Sequence, residues 1–121
     1  MRFAEDSIPT NSIQSWDEDG FVIDDRRICH SVVVTPDTVQ VWSPTCIETL
    51  TAEHFEQLGA LEPEIVIIGT GKTQKFPPAR YAVGLQNRGI GVEVMANDAA
   101  CRTFNVLLSE DRRVVVALML D

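Results

Sequence analysis

The chain predicts an α/β domain built on a mixed sheet. Three observations carry that prediction. The second half alternates apolar strand-like runs with helical patterns, the arrangement that builds crossover units on a largely parallel sheet. The first half holds two β-rich runs around Thr35-Pro36-Asp37, a tight-turn signal that adds an antiparallel hairpin. The 121 residues show no internal repeat or linker, and that length suits a single domain with a sizeable core.

Taken in order, residues 1–19 are polar, contain Pro9 and lack sustained periodicity. They are expected to form an N-terminal arm, with Ile13 and Trp16 able to dock on the body. Residues 20–121 are expected to form the single α/β domain. Strands are expected at 20–23, at 28–34, where β-branched residues dominate, and at 38–42, where Val39 and Val41 alternate with Gln40 and Trp42. Thr51 predicts a helix cap, with Phe55 and Leu58 facing the core and Gly59 as the stop. Pro63 precedes a strand at 65–68. A loop follows over 72–77, and Pro78 suits the first turn of a helix reaching 87, with Gly89 beyond it. A strand is expected at 91–95. Asn97 or Asp98 is expected to cap a helix through 108, whose Ala100, Phe104, Leu107 and Leu108 share one face. The apolar run near the C-terminus reads as a buried strand over 113–120. It is far short of the roughly 20 residues a spanning helix needs.

Composition narrows the function classes. Ten basic and eighteen acidic side chains leave a net charge of −8. Neutralising phosphates requires clustered Lys and Arg, so a general nucleic-acid binder is not expected. An anionic membrane surface is disfavoured for the same reason. The charge favours solubility and a basic protein partner. Met1-Arg2-Phe3-Ala4-Glu5-Asp6 has neither the apolar core of a signal peptide nor the acid-poor character of a transit peptide. Cys29, Cys46 and Cys101 are odd in number and widely spaced, which suits buried, unreactive thiols in a reducing compartment. A cytoplasmic location without membrane insertion is therefore expected.

The most conspicuous motif is Gly69-Thr70-Gly71-Lys72-Thr73, directly after the apolar run Ile65-Val66-Ile67-Ile68. It is not a Walker A loop. The first glycine of that motif would stand at Val66, inside the strand, and Pro77-Pro78 follows where a phosphate-binding helix should open. A dinucleotide fingerprint fails as well, because its third glycine position holds Gln74. Two weaker readings remain. Either Gly69 and Gly71 only permit a tight turn, or they leave backbone N–H groups free beside Lys72 and Lys75 for an anion or polar ligand. A second candidate cluster is Glu93, Met95, Arg102, Thr103, Asn105 and Arg112. If the strand at 91–95 is central, Glu93 needs a buried partner, and Arg102 is the candidate. The alternative is a structural ion-pair network. His30 and His54 lie on different expected elements without metal-ligand spacing, and no nucleophile stands beside an evident base. No cofactor or metal site is expected.

The segments Glu64-Ile65-Val66-Ile67-Ile68-Gly69-Thr70-Gly71, Phe76-Pro77-Pro78, Gly89-Ile90-Gly91-Val92-Glu93-Val94-Met95, Ala100-Cys101-Arg102-Thr103-Phe104-Asn105-Val106-Leu107-Leu108 and Glu110-Asp111-Arg112-Arg113-Val114 are specific as a combination. Together they resemble a small family of unknown function that includes the mitochondrial complex I assembly factor 3 and many bacterial proteins. The resemblance implies three layers, two of β-sheet and one helical, with a mixed central sheet. It implies protein partners and passes on no enzymatic activity. The expectation is a non-enzymatic interaction or assembly-factor module, with partners unidentified and a homo-oligomer left open. The alternative is a small-ligand or anion-binding protein, enzymes included, using Gly69, Thr70, Gly71, Lys72, Glu93, Arg102 and Asn105.

Overall fold

The strongest apolar run, Val-Val-Val-Ala-Leu near the C-terminus, is buried at every position because it lies in the middle of a sheet. The computed structural model describes residues 11–121. Along them run β1 (Ile13–Asp17), β2 (Gly20–Ile23), β3 (Arg26–Ile28), β4 (Val32–Val34), β5 (Val39–Val41), α1 (Ala52–Gly59), β6 (Ile65–Gly69), α2 (Val83–Asn87), β7 (Gly91–Met95), α3 (Asn97–Ser109) and β8 (Val114–Leu118). Short 3₁₀ turns stand at Ile47–Thr49 and Ala79–Ala82. One sheet has the order β1-β2-β3, the other β5-β4-β8-β6-β7.

The larger sheet is mixed, as expected. β6 runs parallel to both β7 and β8, and β4 runs antiparallel to β8 and to β5. Crossovers of this kind are right-handed. The chain steps outward from β6 to β7 through α2, then back past β6 to β8 through α3. Equal handedness with opposite step directions places the two helices on opposite faces. One face accordingly carries α1 and α2, with Phe55, Leu58 and Leu85 packed on Val66, Ile68, Val115 and Ala117. The other carries α3 and the small sheet, with Phe104, Phe21 and Ile23 packed on Ile67, Val116 and Leu118. The two β layers and a helical layer are present, and α3 shares the layer of the small sheet.

Several expectations change. Residues 13–17, assigned to the arm, form β1, while residues 1–10 lie outside the described residues. Ile13 is buried under α3, and Trp16 stacks on Phe21 with ring centroids 5.4 Å apart. Asp17 Oδ1 accepts from the N–H groups of Asp19 and Gly20 and turns the chain into β2. The two-residue turn Asp24-Asp25 has positive φ at both positions, the form that matches strand twist. The apolar run at 28–34 splits between the sheets, and the chain crosses at Ser31, whose Oγ accepts the Leu120 N–H at 2.9 Å. The hairpin around Thr35 forms as expected, with Val32 opposite Val41. The helix expected from Pro78 to 87 is a 3₁₀ turn followed by the short α2. The cap of α3 is Ala96, because the Asn97 side chain is turned inward and is completely buried.

Candidate functional site

β6 and β8 are adjacent, parallel and side by side at their carboxyl ends, the position where open α/β sheets place ligand crevices. A cleft of about 220 Å³ opens there. Thr70, Gly71 and Lys72 line it from the end of β6, and Met119 and Leu120 line it from the end of β8. Trp16 and Glu18 close it from the small sheet, and Cys46 stands on the far wall. The glycine loop singled out by sequence thus does border an opening.

The loop is held from within. Gly69 sits where a Cβ would lie 2.5 Å from Asn97 Oδ1 and 2.7 Å from Leu118 Cδ2, so a side chain would displace α3. Gly71 takes φ +100°, which a residue with a Cβ rarely adopts. The Thr70 N–H donates to the Met95 carbonyl at 3.0 Å. The Gly71 N–H donates to Asn97 Oδ1 at 3.0 Å, and Asn97 Nδ2 donates onward to the Met119 carbonyl at 2.9 Å. Thr70 Oγ1 donates to the Thr73 carbonyl at 2.7 Å and accepts the Lys75 N–H at 3.1 Å. The backbone N–H groups of Thr70 and Gly71, expected to be free for a ligand, therefore serve the fold.

Of the two lysines that line the cleft, Lys72 has an ion-pair partner. Lys72 Nζ lies 3.1 Å from Glu18 Oε1. Lys75 helps to hold the Glu48 carboxyl below its usual range, after the larger effects of Glu48's own backbone N–H and the Cys46 thiol. Cys29 is exposed, Cys46 half-buried and Cys101 buried, so only the last fits the expected enclosed thiol. Burial pushes the Cys101 thiol up to about 12. His30 Nδ1 lies 2.9 Å from the Ser31 carbonyl, and His54 Nδ1 accepts the Thr51 N–H at the start of α1. Among the described residues, no three His, Cys, Asp or Glu side chains converge as a metal site.

The rest of the expected cluster is dispersed. β7 is an edge strand, so Glu93 is exposed and needs no buried cation. Arg102 pairs along its own helix with Asp98 at 3.7 Å, and Arg112 pairs with Glu64 at 3.0 Å. Asn105 brackets the Ile13 backbone, accepting its N–H at 2.7 Å and donating to its carbonyl at 2.8 Å. Glu93 lies instead in a second groove, of about 460 Å³, with Phe76, Pro77, Pro78, Val92 and Val94. Of the cleft's own residues, Trp16 and Glu18 escaped the sequence reading because they were placed in the arm. Asn97 escaped because its cap-like sequence position hid an inward role.

Two packed sheets, the larger one mixed, with helices on both its faces and a glycine turn closed by Asn97 at the β6 end, define a small α/β domain. The chain belongs to the family described as protein of unknown function (DUF498/DUF598), whose model matches residues 13–119. It is 38% identical over 110 residues to the mouse NADH dehydrogenase [ubiquinone] 1 alpha subcomplex assembly factor 3, covering 88% of this chain and 59% of that protein. It thus spans less than two-thirds of that relative. It is also 38% identical over 68 residues to the "13 kDa major membrane protein" of Francisella tularensis, covering 56% of this chain and 55% of the other. A crystal structure of a Bordetella parapertussis protein superposes with a TM-score of 0.87 at 32% identity, over 94% of this chain and 98% of that one. No helix among the described residues is long and apolar enough to cross a membrane.

Proposed function

We propose that this chain is a non-enzymatic, assembly-factor-type protein-interaction module, acting in the cytoplasm of a bacterium on a respiratory or membrane-associated complex. The observation that carries this reading is its relation to the assembly factor 3 proteins across 88% of its length. The geometry supports it. Thr70, Gly71 and Asn105 are engaged in holding the backbone, while Phe76 is 71% exposed. A net charge of −8 suits a basic partner surface. The test is deletion of the gene, with assembled NADH dehydrogenase followed on native gels. Loss of the assembled complex, restored by the wild-type chain, is expected. An unchanged complex would contradict this reading.

A second reading is a small-anion or polar-ligand site, favoured by the position of the 220 Å³ cleft outside the ends of two parallel strands. It uses Gly69, Thr70, Gly71 and Lys72, with Glu93, Arg102 and Asn105 too dispersed to join it. A thermal-shift series with pyrophosphate and citrate tests it. A ligand at a hundred times its dissociation constant stabilises by about 2.7 kcal/mol, and a flat series would remove this reading.

A further inference from the structure

β7 ends the larger sheet, and its outer edge has no strand partner among the described residues. Its backbone groups alternate in direction. The Gly91 N–H bonds to the Glu64 carbonyl at 2.9 Å, and the Met95 carbonyl accepts the Thr70 N–H at 3.0 Å, so these residues face β6. Val92 and Val94 therefore turn their N–H and carbonyl groups outward. Gln74 Nε2 confirms that direction by donating to the Val94 carbonyl at 2.9 Å from outside the sheet. Beside this edge lies the groove of about 460 Å³, walled by Phe76, Pro77 and the Val92 and Val94 side chains. Glu93 is the only charged residue of its lining.

We propose that β7 accepts an extended segment of a partner protein by strand addition, with apolar side chains entering the groove and a Lys or Arg set beside Glu93. This rests on the reading of the chain as an interaction module. The outward Val92 groups and the Val94 N–H supply the pairing, with exposed Gln74 displaced from the Val94 carbonyl, and the groove and Glu93 supply the side-chain preference. Charge selects the occupant. Glu93 is the one carboxylate of β7, on the sheet face opposite Val92 and Val94, in a chain of net charge −8, which favours a segment that alternates apolar and basic residues. It also disfavours a second copy. Antiparallel pairing of two β7 strands over their full length centres on Glu93 and sets the two carboxylates opposite each other. The other edge, β5, has three residues against five in β7 and faces Arg26 and Arg27.

The test uses the ¹⁵N-labelled chain and synthetic extended octapeptides. One alternates valine with lysine and threonine, one has glutamate in place of lysine, and one carries the basic sequence on an N-methylated backbone. The basic peptide is expected to shift the Val92 and Val94 amides and to slow their hydrogen exchange, while the other two leave them unchanged. Glu93→Lys should weaken the basic peptide by about fivefold, the size of one cross-strand charge pair. Glu93→Gln, a smaller change at the same exposed position, should weaken it less. No shift at β7 with millimolar peptide, or shifts confined to another face, would overturn the proposal. So would β7 shifts that grow with protein concentration alone, which would make a second copy the occupant. In the deletion strain, full rescue by Glu93→Lys and by Phe76→Asp would remove β7 as the interface and leave the assembly role intact. Failure of the wild-type chain to alter the complex would remove the assembly role, while the peptide titration still reports on the edge.

Discussion

Asn97 joins three parts of the molecule through one buried amide. Its Oδ1 holds the Gly71 N–H, its Nδ2 holds the Met119 carbonyl, and its own N–H donates to the Gly71 carbonyl at 2.8 Å. Asn97→Ala would leave two of those backbone groups without partners. A buried unsatisfied group costs about 1–3 kcal/mol, so the urea midpoint should fall correspondingly at constant slope. An unchanged midpoint would show that water replaces the amide. Cys101 gives a second expectation at this scale. Burial raises its thiol from 9.0 to about 12, with Asp98 adding to that effect. A raised folded value means that the contribution to stability is complete below the unfolded value and is lost as the pH rises through the folded one. Stability should therefore decline above pH 9. Cys101→Ala should flatten that alkaline decline, as read from thermal melts. Iodoacetamide should label exposed Cys29 and leave Cys101 unmodified until the chain unfolds.

At the scale of elements, β1 depends on α3. Asn105 makes two hydrogen bonds to the Ile13 backbone, and Ile13 packs against the helix. Asn105→Ala keeps a strong helix former in α3 and removes both bonds. The expected result is faster hydrogen exchange across β1 and a stability loss of about 1–2 kcal/mol, with α3 still protected. Equal exchange in both proteins would mean that side-chain packing alone holds β1. Legibility in the sequence follows the range of the interactions. β6, β8 and the buried face of α3 were readable because local apolar patterns reflect burial. The hairpin around Thr35 was readable because its turn chemistry is local: Thr35 Oγ1 accepts the N–H groups of Asp37 and Thr38. β1 was not, since its ladder to β2 is short, and the Asn105 clamp and the α3 packing that hold it come from residues far along the chain. Asn97 and Asn105 could not be assigned for the same reason, as their amide partners lie 22 to 92 positions away. The expected Glu93–Arg102 pair failed because it required β7 to be central, and strand order is set by crossover direction rather than by composition.

Across the whole molecule, two hydrophobic clusters on the two faces of one mixed sheet fix the architecture. The glycine loop contributes to that architecture as much as to any opening, because Gly69 admits α3 and Gly71 turns the chain back toward Asn97. What the molecule presents outward is an acidic surface, an open β7 edge and an exposed Phe76. Such a surface suits a protein that meets its partner during construction of a larger complex. The most direct measurement is affinity capture of the tagged chain after a pulse of isotope label, followed by a chase. An assembly role predicts that newly made NADH dehydrogenase subunits are captured early and leave during the chase as the finished complex appears. Capture of no such subunits, or constant capture of the finished complex, would contradict it.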